Sequence, residues 1–310
     1  MTHPRRTFAL TASAAALALT LAACGSSGMA GMDMPRTSGS PAAPGTAMPG
    51  MDMSAPETDG LSDTLDGYRL TGLPATLPAD RDSAVSFRIT APDGNPVTGY
   101  TPEQTEPLHF YAVRSDLTGF QHLHPTLAAD GTWTAPLTAP QPGTWRFFTT
   151  FTPSSGPGQG KGYVLSSTVT VPGTAPASPT APTAPTAPAP ASPALTATTP
   201  DGYTVTAATP GGGELMAGMP HQLTITVSKD GKPVTDLQPY LETYAHLTAF
   251  RAQDLAFAHL HPQTQVTGDH GGPELTFQAE LPKPGAWRLF LQFRTDDTLH
   301  TAALTLDAKG

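Results

Sequence analysis

The chain has 310 residues, room for two ordinary domains, and carries a formal charge of −9 with only 13% charged residues. Gly (30) and Pro (35) together favour short strands, turns and spacers over long helices. Beyond Arg5 and Arg6 no Lys/Arg cluster occurs that would track a phosphate backbone, which argues against nucleic acid as a partner.

Residues 1–24 read as an export leader. "MTHPRR" is a basic start, "FALTASAAALALTLAA" an apolar stretch too short for a permanent span, and "LAAC" ends it as a lipobox does, at Cys24. Cys24 is the only cysteine, so an intramolecular disulfide is impossible; it is expected to carry lipid and become the mature N-terminus. "RRTFAL" also resembles a twin-arginine signal. The expected location is extracytoplasmic, periplasm or cell surface, with the membrane as a partner through the lipid on Cys24. No later stretch is apolar enough to cross a bilayer.

Residues 25–61 have no hydrophobic period and are expected to be a disordered tether. It repeats one methionine phrase, Met29-x2-Met32-x-Met34 and Met48-x2-Met51-x-Met53. Methionine usually fills cores, but a tether has none, and exposed thioethers are soft ligands that suit Cu(I) and not Zn(II). The competing reading is a compositionally drifting Ala/Gly/Met spacer.

Residues 62–171 predict about seven strands, at 67–72, 84–90, 108–114, 120–127, 131–137, 144–151 and 164–171, with turn residues between them. Residues 172–200, "PGTAPASPTAPTAPTAPAPASPALTATTP", predict an extended Pro-rich linker that reaches on the order of 80 Å as a semi-rigid spacer. Residues 201–310 repeat the first segment. "LHFYAVRSDLTGFQHLHP" (108–125) answers "AHLTAFRAQDLAFAHLHP" (245–262), "PGTWRFF" answers "PGAWRLF", and a D-G-x-P-V turn recurs at 93–97 and 230–234. The fold class expected is all-β: two tandem Ig-like antiparallel sandwiches, with Trp145 and Trp287 as core anchors.

Each repeat carries His-x12-His-x-His-Pro: His109, His122 and His124 in the first, His246, His259 and His261 in the second. Residues i and i+2 of a strand share a face, so each H-x-H presents two rings side by side. The third ring joins them only if 109 pairs near 124; a slip of one residue sends it to the other face. Three neutral imidazoles suit Cu(II), with Zn(II) as the alternative, and affinity is expected to fall as they protonate below pH ~6. The plainer reading is that H-x-H-P ends a strand with each ring satisfied by a hydroxyl or carbonyl. His300 on the last strand is placed opposite Leu165 by alignment, giving the second site a possible fourth ring. "MAGMPH" adds Met216, Met219 and His221 as a further candidate set.

No H-E-x-x-H, G-x-S-x-G or phosphate-loop motif occurs, so an enzyme is not expected; Asp116 and Asp254, near the histidines, are read as turn-fixing residues. The H-L-H-P and P-G-x-W-R phrases, across both sandwiches, resemble bacterial exported lipoproteins with tandem Ig-like (YtkA-like) β domains. That resemblance implies a copper or heavy-metal context and carries over His246, His259, His261 and His300; the first repeat, without a counterpart to His300, would then lack one ligand. Two functions stay open: a copper-binding lipoprotein with a copper donor or acceptor protein as partner, and a metal-free module that binds a protein or envelope component.

Overall fold

The computed structural model describes residues 59–175 and 195–310. Cys24, Met29, Met32, Met34, Met48, Met51 and Met53 lie outside the described residues, as does most of the Pro-rich segment. The described chain is all-β, and its only helical piece is a 3-10 turn at Pro210–Gly212.

The first sandwich has a sheet of β1 (Thr64–Leu65), β2 (Tyr68–Thr71), β3 (Ser83–Thr90), β7 (Trp133–Leu137) and β6 (Thr126–Leu127), in that spatial order. Facing it is a sheet ordered β5 (Gln121–Leu123), β4 (Leu108–Arg114), β8 (Gly143–Phe151) and β9 (Tyr163–Val171). Alternation sets the faces: along β3, Val85, Phe87 and Ile89 point inward while Ala84, Ser86 and Arg88 stay exposed. Trp145 is buried in this core and donates its indole N–H to the Gln141 carbonyl, as Trp287 does to Lys283 in the second.

The second sandwich is one continuous sheet, ordered β10 (Leu195–Thr198), β11 (Tyr203–Ala208), β13 (Pro220–Lys229), β17 (Glu274–Glu280), β16 (Phe257–Pro262), β15 (Ala245–Arg251), β18 (Gly285–Thr295), β19 (Thr298–Lys309) and β12 (Leu215–Met216). A short β14 (Lys232–Pro233) closes the D-G-x-P-V hairpin against β13. Within β16, Phe257–Leu260 pair with β15 while His261 and Pro262 pair with β17, so "HLHP" turns a corner from one face of the sandwich to the other. In the first repeat the same corner is broken. The strand expected at 120–127 splits into β5 and β6 around His124-Pro125, at a proline that has no N–H to donate to a ladder.

The two sandwiches dock on equivalent faces. β4 and β15 are buried on both sides: Leu108, Phe110 and Ala112 face their own core, whereas Tyr111 and Val113 enter a third apolar cluster with Phe148, Val164, Phe250, Leu255, Phe257 and Phe290. Phe120 stacks on Phe290 at 4.3 Å between ring centroids, and Phe148 meets Phe250 at 5.2 Å and Phe257 at 5.5 Å. This corrects the expectation of modules spaced by the linker. The linker's last residues also belong to the fold, since Leu195–Thr198 pair with β11.

The end of the expected tether is likewise part of the fold. The Phe257 N–H donates to the Asp59 carbonyl, the Ser166 N–H to the Ser62 carbonyl and Arg146 to the Leu61 carbonyl, while Lys283 pairs with the Asp59 carboxylate at 2.6 Å. This strap touches both sandwiches. Gly60 within it has φ +67, and a Cβ there would lie 2.6 Å from Val164 Cγ1; only glycine suits that passage. Among the described residues no helix is long and apolar enough to cross a membrane, a statement that does not bear on β-barrels.

Candidate metal centre

Register decides the parity that sequence left open. Phe110 pairs with Leu123 and Tyr111 with His122, so position 109 falls opposite 124 and the three rings share one face. The same holds in the second repeat, where Leu247 pairs with Leu260 and Thr248 with His259. That face is the one buried between the sandwiches. Both triplets therefore look into the seam, where Tyr111 of the aromatic cluster stacks on His122 at 4.5 Å between ring centroids.

His109, His122 and His124 offer nitrogens that all lie within 4.8 Å of one another. His109 Nε2 donates to the Glu103 carbonyl at 3.0 Å, which leaves Nδ1 with its lone pair. His122 Nδ1 lies 2.8 Å from the Gln292 side-chain amide. His109 Nδ1 and His122 Nε2 lie within hydrogen-bond distance of each other at 3.0 Å. His124 Nε2 is buried and without a hydrogen-bond partner among the described residues.

The second triplet is looser but similarly prepared. His246 Nε2 donates to the Tyr240 carbonyl at 3.0 Å, and its Nδ1 is buried without a partner, as is His261 Nε2. The Glu103 carboxylate stands 3.6 Å from His259 Nδ1, which favours a proton there and a bare Nε2. His246 lies 5.9 Å from His122 between ring centroids, and His259 lies 5.2 Å from His261.

The carbonyls that hold His109 and His246 come from a turn present in both repeats. Gln104 and Thr105 in the first (φ 47 and 72), and Leu241 and Glu242 in the second (φ 52 and 63), occupy the left-handed region. Two successive non-glycine residues there cost roughly 1–2 kcal/mol each, the kind of strain that accumulates at functional sites. No glycine or asparagine marks this turn, so sequence reasoning missed it.

Burial lowers the pKa of all six histidines. His246 falls to about 4 through burial, opposed by its bond to Tyr240. Burial pushes His122 and His259 well below the ordinary value, with neighbouring imidazoles adding to the effect. His109, His124 and His261 are lowered by burial as well. The folded site therefore holds its imidazoles neutral below the pH ~6 at which free imidazole protonates.

His300 does not join them. It pairs with the core residue Phe293, on the opposite parity from Gln292, and its structural counterpart is Tyr163, paired with Phe151, rather than Leu165. Its Nδ1 meets the Asp201 carboxylate, and Nε2 lies 2.9 Å from Thr295 Oγ1, which also contacts the Tyr203 hydroxyl at 2.6 Å. This carboxylate–imidazole–hydroxyl chain ends on a buried threonine that substrate cannot reach, so it acts as an internal clasp. His221 is also apart, on β13, where its Nε2 accepts the Met216 N–H at 2.8 Å; Met219 is exposed. Asp116 and Asp254 do fix turns. They accept the N–H of Thr118 and Ala256 and pair with Arg114 and Arg251.

The sequence matches the family described as Domain of unknown function (DUF8832) over residues 63–171 and again over 197–310. The chain belongs to that family. Its two DUF8832 copies coincide with the two sandwiches, and each contains one full histidine triplet. No curated protein matches the sequence. Among solved structures the chain is similar to the Escherichia coli adhesin FdeC at 15% identity, covering 83% of this chain and 66% of that one, with a TM-score of 0.24. It is also similar to S-layer protein SbsC domains 4 and 5 (13% identity, 78% and 98% covered, TM-score 0.22) and to the N-terminal Ig1-2 module of Drosophila receptor protein tyrosine phosphatase DLAR (7%, 78% and 99%, 0.20). TM-scores this low carry no argument about arrangement or activity.

Proposed function

We propose that this DUF8832 protein is a lipid-anchored, extracytoplasmic copper-binding protein that buffers copper or passes it to a partner protein. The observation that carries the reading is the pair of imidazole nitrogens, His109 Nδ1 and His122 Nε2, held 3.0 Å apart beside His124 in a buried pocket. An ion about 2.0 Å from each nitrogen would subtend about 97°, close to what tetrahedral or square-planar coordination requires. An all-imidazole set suits Cu(II) and also takes Zn(II). The Met29–Met34 and Met48–Met53 phrases tip the choice to copper, because thioethers bind Cu(I) and bind zinc poorly. Cys24 at the end of "LAAC" supports the lipid anchor.

Native mass spectrometry of the mature chain titrated with Cu(II), Cu(I) and Zn(II) tests the reading. Copper should be taken up in whole-number stoichiometry and lost from the sandwiches when His109 and His122 are both replaced by alanine. If the wild-type chain takes up no metal, the metal-free interaction module is the correct reading.

A further inference from the structure

The seam brings the second triplet, and the side chains that orient both, to the same place. His122 is aimed by Gln292, which belongs to β18 of the second sandwich; His259 is faced by Glu103, which belongs to the first. Each sandwich thus places a polar side chain against the other's inner histidine, 2.8 Å away at His122 and 3.6 Å away at His259. Neither arrangement survives separation, because an isolated first sandwich has no Gln292 and an isolated second has no Glu103. A hydrogen-bond partner on the far ring nitrogen is how ligating histidines are normally fixed in orientation and raised in basicity.

The cross-seam spacing is short as well. His122 stands 5.9 Å from His246 between centroids, little more than the 5.2 Å from His122's own neighbour His109 to His122. His246 Nδ1 and His261 Nε2 are buried nitrogens with no partner, like His124 Nε2 across the seam. A buried, unpartnered polar atom is costly, and three from two chain segments in one seam call for a shared ligand.

Building on the proposed copper site, we infer that the two sandwiches form a single metal centre, in which second-sandwich histidines, His246 foremost, complete the set His109, His122 and His124. Copper occupancy and docking of the sandwiches are then one linked equilibrium: the ion binds the closed seam, and an opened seam releases it. This gives the duplication a role that two separate sites would not need.

The test uses the full mature chain with Cu(II) as probe. Electron spin-echo envelope modulation of the singly loaded wild type should report four or more coordinated imidazoles. His246→Gln and His259→Gln, on the second sandwich, should each weaken the first Cu(II) equivalent by ~tenfold or more, and Cu(II) should raise the temperature at which both sandwiches unfold together. Three coordinated imidazoles, with second-sandwich variants binding the first equivalent as tightly as wild type, would overturn the shared centre and leave the copper reading standing. No Cu(II) uptake by the wild type would remove both. Should a variant fail to fold, the nitrogen count of the wild type still decides.

Discussion

Lowering the pH of the metal-free protein should loosen the seam, and His246 sets a lower bound on the effect. Burial holds its folded pKa at about 4, against an ordinary value of 6.5. Because the folded value is depressed, the unfolded chain binds the proton first. Stability is fully present above pH ~6.5 and declines as the pH falls toward 4. At pH 5 the unfolded ring is nearly all protonated and the folded ring about one-tenth so, a loss of about 2 kcal/mol from this residue alone. His122 and His259 sit lower still and add to it. Urea unfolding of metal-free protein at pH 7 and pH 5, followed by tryptophan fluorescence, should show a clearly lower midpoint in acid. In His246→Gln, the difference should shrink by about 2 kcal/mol. An unchanged wild-type midpoint between the two pH values would refute the burial argument for the whole cluster.

Other predictions follow from the seam and its strap. Gly60→Ala forces a Cβ to 2.6 Å from Val164 at φ +67, and should cost roughly 1–3 kcal/mol in urea unfolding. Phe290→Ala removes the ring stacked on Phe120 and should cost roughly 3–5 kcal/mol; a smaller loss in the Phe120→Ala background would show that the stack is coupled. Thr105→Gly relieves a β-branched residue at φ 72 in an exposed position and should raise stability by about 1 kcal/mol without changing copper uptake. Cys24→Ala should abolish labelling by radioactive palmitate and release the protein from the membrane fraction.

The strands, the duplication and the core tryptophans were legible because each depends on local alternation or on repeated words in the chain. Register was not, since a one-residue slip preserves all of those signals; the pairing of Tyr111 with His122 was needed to bring His109 onto the shared face. The error over His300 has the same origin. Alignment by sequence set it against Leu165, whereas the hairpins pair it with Phe293, where Tyr163 stands in the first repeat. The docking of the sandwiches did leave a trace. "FYAV" and "LTAF" run apolar without alternating, as strands buried on both faces do, and Phe120, Phe148 and Phe290 add rings on the side away from each core. The Pro-rich linker drew attention away from that signal.

Why should both copies keep H-x-H-P when only the first triplet closes to within 4.8 Å? Docking on equivalent faces places equivalent residues around one seam, so any polar group on that face meets its own duplicate, as in an isologous dimer. Six imidazoles, three buried and three half-buried, would ordinarily make such a seam unstable, and an apolar set of similar volume would pack at lower cost. The copies differ in the groups that surround the rings. Gln292 reaches His122, while its counterpart Thr150 is too short to do the same for His259, which Glu103 faces instead. Tyr240, the counterpart of Glu103, keeps the carbonyl bond to His246 but lends no carboxylate. The two halves thus differ in the groups around the rings while sharing the rings themselves, which is the pattern the proposed shared centre predicts.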